Sequence, residues 1–342
     1  MRTLIDIPDS FGAPTAANQC AVLGKPTAHS LSPVLHQAAY RALGIQDSWS
    51  YHRYEVGEDA LGGFLEELDD SWRGLSLTMP LKRTIQPYGI PSNTWAKHLG
   101  VANTVVFDWQ TPAVPGPATD AGLPFMRLYN TDVDGIDLAI RHAWDTRGGY
   151  PSNAGRLKAL VIGNGNTAMS AIAALSQLRT PQGATVGGIG ITVAARHPEH
   201  NRDILALRER PASSGVLRVD AIIGLDAVAA TMNDYQVIIS TLPAHAADDL
   251  AAQLVASGLH VDGTLLDVAY APHPSRLNRA WEQAGGISIG GEEMLLYQAI
   301  GQVCLMTGRG AQAWSDGGPV DVRQVDSALE DAMRAALREA IQ

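Results

Sequence analysis

Leu157–Leu178, "LKALVIGNGNTAMSAIAALSQL", passes from an apolar run of strand length through a short turn into a segment with apolar residues at helical spacing. The turn, made of Gly163, Asn164, Gly165, Asn166, Thr167 and Ala168, matches G-x-G-x-x-A. Its glycines permit the tight turn and let backbone N–H groups approach a pyrophosphate, while Ala168 lets the helix lie close on the sheet. Strand, glycine turn and helix in this order make a candidate phosphate cradle at a helix N-terminus. The plainer alternative is a glycine turn that binds nothing.

The next strand bears on which dinucleotide such a cradle would take. "GIGITVAARHPEH" ends in Ala195, Arg196 and His197, where an NAD-binding unit carries Asp or Glu for the ribose hydroxyls. No acid is there, and Arg196 suits a 2′-phosphate through charge-assisted contacts, so NADP is expected ahead of NAD. A solvated surface arginine is the alternative. "VLRVDAII", "YQVIISTL" and "TLLDVAY" continue the series of short apolar runs, several followed by helical segments. That repetition predicts a mostly parallel, doubly wound sheet.

Upstream, "QCAVLG", "SYHRYEV", "GLSLTMP", "VANTVVF" and "RLYNTD" read as strands, with helices over Pro33–Leu43 and Ala60–Leu68 and around Asn93–His98. "DWQTPAVPGPATDAGLP" is rich in Pro, Gly and Ala and predicts a long surface loop between two strands. "NTDVDGIDLAIRHAW" predicts a helix, and the tail from Glu293 is helical again. The sequence does not say which domain the helical tail packs on.

A chain of 342 residues is long for one core, and 46% hydrophobic with 18% charged residues is a folded composition. A net charge of -10 argues against nucleic acid as the main partner. The two cysteines, Cys20 and Cys304, form no CxxC-type spacing, which fits a reducing compartment and points to no metal site. "MRTLIDIPDS" lacks the layout of a signal peptide, and no apolar run is long enough to span a membrane. A cytoplasmic, two-domain protein is expected.

"HSLSPVLHQ", His29–Gln37, sets Ser30 and Ser32 one residue apart ahead of a helical pattern, with Pro33 suited to the first helical position. Ser32 as N-cap with Ser30 as loop filler is one explanation. The other is that two hydroxyls and a helix N-terminus converge on a small anion.

In order along the chain stand "HSLSP", "GLSLTMPLK", "VANTV", "NTDVDG", "GNGNTA", "LLDVAYAP" and "GGEEMLLYQA". Seven pieces in this order resemble shikimate dehydrogenase, along nearly the whole length. The resemblance implies a discontinuous α/β substrate-binding domain, residues 1–133 with 294–342, and a Rossmann NADP-binding domain, residues 134–293. It implies reversible, NADPH-dependent reduction of 3-dehydroshikimate to shikimate, in the pathway to aromatic amino acids. Ser30 and Ser32 would bind the shikimate carboxylate. Lys82 and Asp132 match the catalytic pair; Thr78, Asn103 and Asp132 match residues that hold ring hydroxyls; Tyr270 and Gln298 match residues that close over substrate. The chemistry is sound without the family, because reducing a ketone needs a proton at the forming alkoxide and a lysine can supply it. Taken singly, Lys82 could be an exposed strand-end cation and Asp132 a helix cap.

Three positions depart from the family pattern. Ser76 replaces the usual substrate-facing asparagine, Asn166 stands where a further glycine is frequent, and "AARH" keeps only the arginine of the frequent "NRT". The first bears on substrate range, the others on the cofactor. A relative using quinate, an amino analogue or NAD is the near alternative. A catalytically silent shikimate-binding regulator is the distant one, and it has no need of Lys82 and Asp132. Monomer and homodimer both remain open.

Overall fold

In a computed structural model, residues 16–112, 123–150, 156–179, 188–209, 218–315, 320 and 325–342 are described. Contacts divide the chain into two units, Met1–Thr131 with Leu296–Gln342, and Asp132–Leu295. The first unit carries β1 (Asn18–Gly24), α1 (Ser32–Ala42), β2 (Trp49–Glu55), α2 (Leu61–Glu66), β3 (Trp72–Leu77), α3 (Leu81–Thr84), β4 (Ile90–Pro91), α4 (Thr94–Leu99), β5 (Thr104–Pro112) and β6 (Pro124–Tyr129). The second follows with α5 (Asp132–Arg147), β7 (Leu157–Ile162), α6 (Asn166–Gln177), β8 (Ile189–Ala195), α7 (Arg202–Glu209), β9 (Ala221–Gly224), β10 (Val237–Ser240), α8 (Asp248–Ser257), β11 (Thr264–Asp267), α9 (Arg276–Gln283) and β12 (Ile287–Gly290). The chain then returns through α10 (Gly291–Thr307), α11 (Gln312–Ser315) and α12 (Ser327–Ala340).

Strand alternation sorts the first unit into two apolar faces. Ala21 and Leu23 of β1 join Leu75 and Leu77 of β3 against Leu61, Phe64 and Leu65 of α2. Cys20 and Val22 face the other way, with Tyr40 of α1, Tyr51 of β2 and Met306 of α10. The sheet runs β2-β1-β3-β5-β6-β4; β5 is antiparallel to both neighbours, and the other pairs are parallel. The C-terminal tail belongs here, because α12 buries Leu329, Met333 and Leu337, one helical stripe, and packs on α1.

The second unit holds the doubly wound sheet, all parallel, in the order β12-β11-β10-β7-β8-β9. The chain winds outward from β7 to β9 and then crosses back to β10, which puts the topological switch between β7 and β10. Among the described residues, no helix is long and apolar enough to cross a membrane.

Several local expectations need correction. Leu31, not Ser32, occupies the N-cap of α1: its carbonyl accepts the first ladder bond from Leu35 N–H at 3.2 Å, and Ser32 lies inside the first turn. Ser30 is more than filler, because its Oγ accepts the Ser32 N–H at 3.3 Å. The helix expected over Ala60–Leu68 is shorter, with Gly62 and Gly63 weakening its propensity. The loop expected from Asp108 begins later, since β5 continues to Pro112, held where Trp109 Nε1 donates to the Trp72 carbonyl at 2.8 Å. The rest of that loop, residues 113–122, lies outside the described residues, as do the first two residues of "VLRVDAII". Strand β12, "ISIG", carried too little signal between glycines to be read, yet it pairs in parallel with β11.

Gly74 of β3 lets α10 approach the sheet: a Cβ there would meet Met306 Cγ and the Val105 carbonyl oxygen, both at 2.6 Å. Gly74→Ala should therefore destabilise the fold by about 1–3 kcal/mol, the usual cost of overpacking. Trimming Met306 to Ala in that background should fail to restore the denaturation midpoint, because the clash with backbone remains.

Candidate active site

Five elements of the first unit converge on a buried polar chain. Ser32 and His36 are four residues apart on α1 and share a face toward Tyr51 of β2. The His36 ring stacks on the Tyr51 ring, with centroids 3.8 Å apart. Tyr51 donates to Ser76 Oγ at 2.6 Å, and Ser76 donates to Gln302 Oε1 at 2.8 Å. Gln302 Nε2 donates to the Asn103 carbonyl at 3.1 Å and to Thr104 Oγ1 at 3.2 Å. Burial pushes the Tyr51 phenol above its ordinary range and the His36 imidazole down to about 3, so both are neutral.

The chain ends on Asn103, whose side chain is held at both ends. Its Oδ1 accepts from Thr131 N–H at 2.9 Å and Thr104 Oγ1 at 2.9 Å; its Nδ2 donates to Thr131 Oγ1 at 3.0 Å and to Gln298 Oε1 at 3.2 Å. Gln298 and Gln302 sit one turn apart on α10, so one helix face supplies both amides. Ser30, half-buried, lies in the loop before α1, which Arg53 anchors by donating to the Ala28 carbonyl at 2.6 Å.

Thr78 and Lys82 flank the turn from β3 into α3, and both are half-buried. The turn passes so close to β1 that a Cβ on Gly24 would lie 2.3 Å from Thr78 Cγ2 and 2.8 Å from the Met79 carbonyl oxygen. The Lys82 carbonyl accepts from Ala102 N–H at 2.9 Å, which ties α3 to the segment leading into Asn103. Ser76 is only 3% exposed, with its one proton given to Gln302, so it belongs to the interior chain rather than to an open surface.

In the second unit, Asp132 is buried in the first turn of α5, where a carboxylate is favoured by the helix dipole. Tyr270 follows β11, is half-buried, and has a phenol raised by burial. The glycine turn fits a phosphate group. Gly163 has φ 114°, and a Cβ there would strike Thr241 Oγ1 at 2.3 Å. Around Gly165 a Cβ would meet only open space, and Gly165 caps α6 without a side-chain hydrogen bond. Ala168 is buried against the sheet, Asn166 and Thr167 are half-buried in the first turn of α6, and Arg196 is exposed just past β8. Asn164 Nδ2 donates to the His197 carbonyl at 2.8 Å and the Asn164 carbonyl accepts from Asn201 Nδ2 at 2.6 Å, pinning the loop that carries Arg196 to the turn. Among the described residues, one group of metal-ligating type falls together, His197, Glu199 and His200, and all three are exposed.

Residues 22–105 match the family model described as the shikimate dehydrogenase substrate binding domain. The shikimate dehydrogenase (NADP+) of Methanothrix thermoacetophila is 30% identical over 328 residues, 93% of this chain and 97% of that one. The chain belongs to the shikimate dehydrogenase family. Among solved structures, the Mycobacterium tuberculosis shikimate dehydrogenase is 33% identical, with a TM-score of 0.66 over 94% of this chain and 99% of that one. The Thermus thermophilus enzyme, solved with NADP(H) and shikimate, is 25% identical, with a TM-score of 0.61 over 93% and 99%.

Sequence reasoning missed Tyr51, His36, Gln302 and Thr131. Gln302 and His36 had a signal, a four-residue helical spacing from Gln298 and from Ser32, and Thr131 stood inside "NTDVDG"; Tyr51 had none. The depressed pKa of His36 has a thermodynamic consequence. Its neutral form is favoured in the fold, so that stability is fully present above about pH 6.5 and is lost as pH falls toward about 3. In that window wild type should lose about 1.4 kcal/mol per pH unit from this residue. His36→Phe, which keeps a ring on Tyr51, should lose less. Urea unfolding of both proteins from pH 7 to pH 4 measures the difference, which should narrow steadily as the pH falls.

Proposed function

We propose that this member of the shikimate dehydrogenase family interconverts 3-dehydroshikimate and shikimate with NADP as the redox partner, in the cytoplasm, as a monomer or homodimer. The observation that carries the substrate is the buried hydrogen bond from Asn103 Nδ2 to Gln298 Oε1, 3.2 Å long between residues 195 positions apart. It joins two polar side chains, 1% and 7% exposed, that both match substrate-holding positions of the family. Buried amides of this kind suit a ligand dense in hydroxyl groups. The two free thiols, Cys20 and Cys304, fit a reducing compartment.

Each residue then has a task. Ser30 and Ser32 hold the carboxylate; Thr78, Asn103 and Asp132 hold ring hydroxyls; Tyr270 and Gln298 cover the substrate. Lys82 and Asp132 are the catalytic residues, with Lys82 placing a proton at the oxygen of the reacting carbon. The domain limits that go with this reading are 1–133 with 294–342 for substrate and 134–293 for cofactor. Backbone N–H groups of Gly165, Asn166 and Thr167 would hold the pyrophosphate, with Gly163 and Ala168 shaping the turn and Asn164 fixing its neighbour loop. Arg196 would hold the 2′-phosphate. When bound, the cofactor supplies or accepts the hydride.

Replacing Lys82 by Ala should lower kcat by roughly 10²–10⁴ with a smaller change in KM, since it removes proton transfer rather than uniform binding. Near wild-type kcat in that variant would remove Lys82 from the chemistry. Arg196→Ala should weaken NADP by about 1.5–3 kcal/mol while NAD changes little. Fluorescence titration of both cofactors measures this, and equal losses would make Arg196 a structural residue. Initial rates with shikimate and quinate, each with NADP and NAD, test the substrate; preference for quinate would overturn it.

A further inference from the structure

Two imidazoles and a carboxylate meet in the loop after β8, "RHPEHN" (Arg196–Asn201). Ligand atoms of His197, Glu199 and His200 all lie within 4.8 Å of one another, and all three side chains are exposed. They share one oxygen: Glu199 Oε1 lies 3.2 Å from His200 Nε2 and 3.8 Å from His197 Nδ1. The two imidazole rings are stacked, with centroids 4.7 Å apart and planes inclined by 17°. Around a tetrahedral zinc ion with bonds of about 2.1 Å, neighbouring ligand atoms stand about 3.4 Å apart. Glu199 thus sits near that separation from both histidines, and a turn of the exposed rings closes the rest.

The backbone beneath the cluster is fixed, so binding has little chain to order. His200 N–H donates to the His197 carbonyl at 3.2 Å, closing the turn across which the two rings stack. Asn164 Nδ2 donates to that same carbonyl at 2.8 Å. Asn201 Nδ2 donates to the Asn164 carbonyl at 2.6 Å, and Asn201 Oδ1 accepts from the Asp203 and Ile204 N–H groups at 3.0 and 3.1 Å. The turn is therefore tied to the glycine loop on one side and to α7 on the other. Imidazole and carboxylate together suit a cation such as Zn²⁺, Ni²⁺ or Co²⁺, whereas Mg²⁺ and Ca²⁺ demand oxygen ligands. A lone exposed ion pair is worth ~0–1 kcal/mol and accounts for one histidine on the carboxylate, not for two. We infer that His197, Glu199 and His200 form a surface site for a zinc-class divalent cation, which clamps the loop bearing Arg196. Three protein ligands leave the fourth position of the ion to water or to an added ligand.

The experiment is calorimetric titration of the full-length protein, free of any histidine tag, with Zn²⁺ and separately with Mg²⁺. Zinc should bind at this site, with Mg²⁺ giving no comparable heat. His197→Ala and His200→Ala should each weaken zinc binding by roughly tenfold or more, since even a hydrogen-bonding partner of a metal ligand is worth 10–100-fold. Glu199→Gln keeps the shape of the side chain and removes its charge, and it should weaken zinc as well. His245→Ala is the control, an exposed histidine whose partner Asp248 is shared with Arg276, and it should leave binding unchanged. Circular dichroism confirms that each variant folds. Equal zinc affinity in wild type and the His197→Ala/His200→Ala double variant, or Mg²⁺ bound as tightly as Zn²⁺, overturns the site. Zinc should also slow amide hydrogen exchange at residues 196–201 in wild type and not in the double variant. Unchanged exchange on saturation of wild type overturns the clamp.

Discussion

A single primary amide, that of Gln302, organises the interior of the first unit. Its side chain, 1% exposed, reaches from helix α10 to Ser76 of β3, the Asn103 carbonyl and Thr104 of β5. Leaving any of these groups buried without a partner would cost about 1–3 kcal/mol each. The alternative, filling the space with apolar atoms, would remove the rigid support under Asn103. The same helix needs Gly74 below it and turns Gln298 toward Asn103. Sheet packing and polar support are thus one arrangement, and neither can be changed alone.

The second unit meets a different constraint with backbone rather than side chains. A doubly wound sheet opens a crevice where its strand order reverses, beyond the ends of β7 and β10. Gly163 and Thr241 meet there so closely that no side chain fits at Gly163, while the space around Gly165 stays clear. An anion is favoured at such a helix terminus without any lysine, which agrees with a turn containing none. The Asn164 and Asn201 side chains add a tie that a turn of glycines alone could not make.

How much of this was legible depended on distance along the chain. The strand-turn-helix at Leu157–Leu178 is local, and its pattern became β7, the turn and α6. The end of β5 rests on Trp109 meeting Trp72, 37 positions away, so a Pro-rich composition concealed it. The N-cap of α1 shifted by one residue because a backbone carbonyl, which no side-chain preference reports, began the ladder. Residues in dense motifs, such as Ser30, Lys82, Asn103 and Gly163, were readable through their neighbours. The bonds of Tyr51 and Gln302 to Ser76 were not, since that partner lies 25 and 226 positions away. Ser76 was visible as a departure, but its partners Tyr51 and Gln302 lie outside the short motifs.

The first unit is interrupted in sequence, and that has a consequence for how the protein is made. On the ribosome, β1 to β6 emerge first, yet the helix that carries Gln302 and Met306 follows only after the whole of Asp132–Leu295. The second unit is contiguous and its sheet is complete once β12 has left the exit tunnel, so it can close while the first still waits. During that interval the face of Cys20, Val22 and Tyr51 lacks the cover of α10, and Ser76 and Asn103 must hydrogen-bond to water. Such a half-built sheet is a natural client for chaperones and a vulnerable point for premature termination. The cover over that face therefore depends on a helix made only after the second unit is complete.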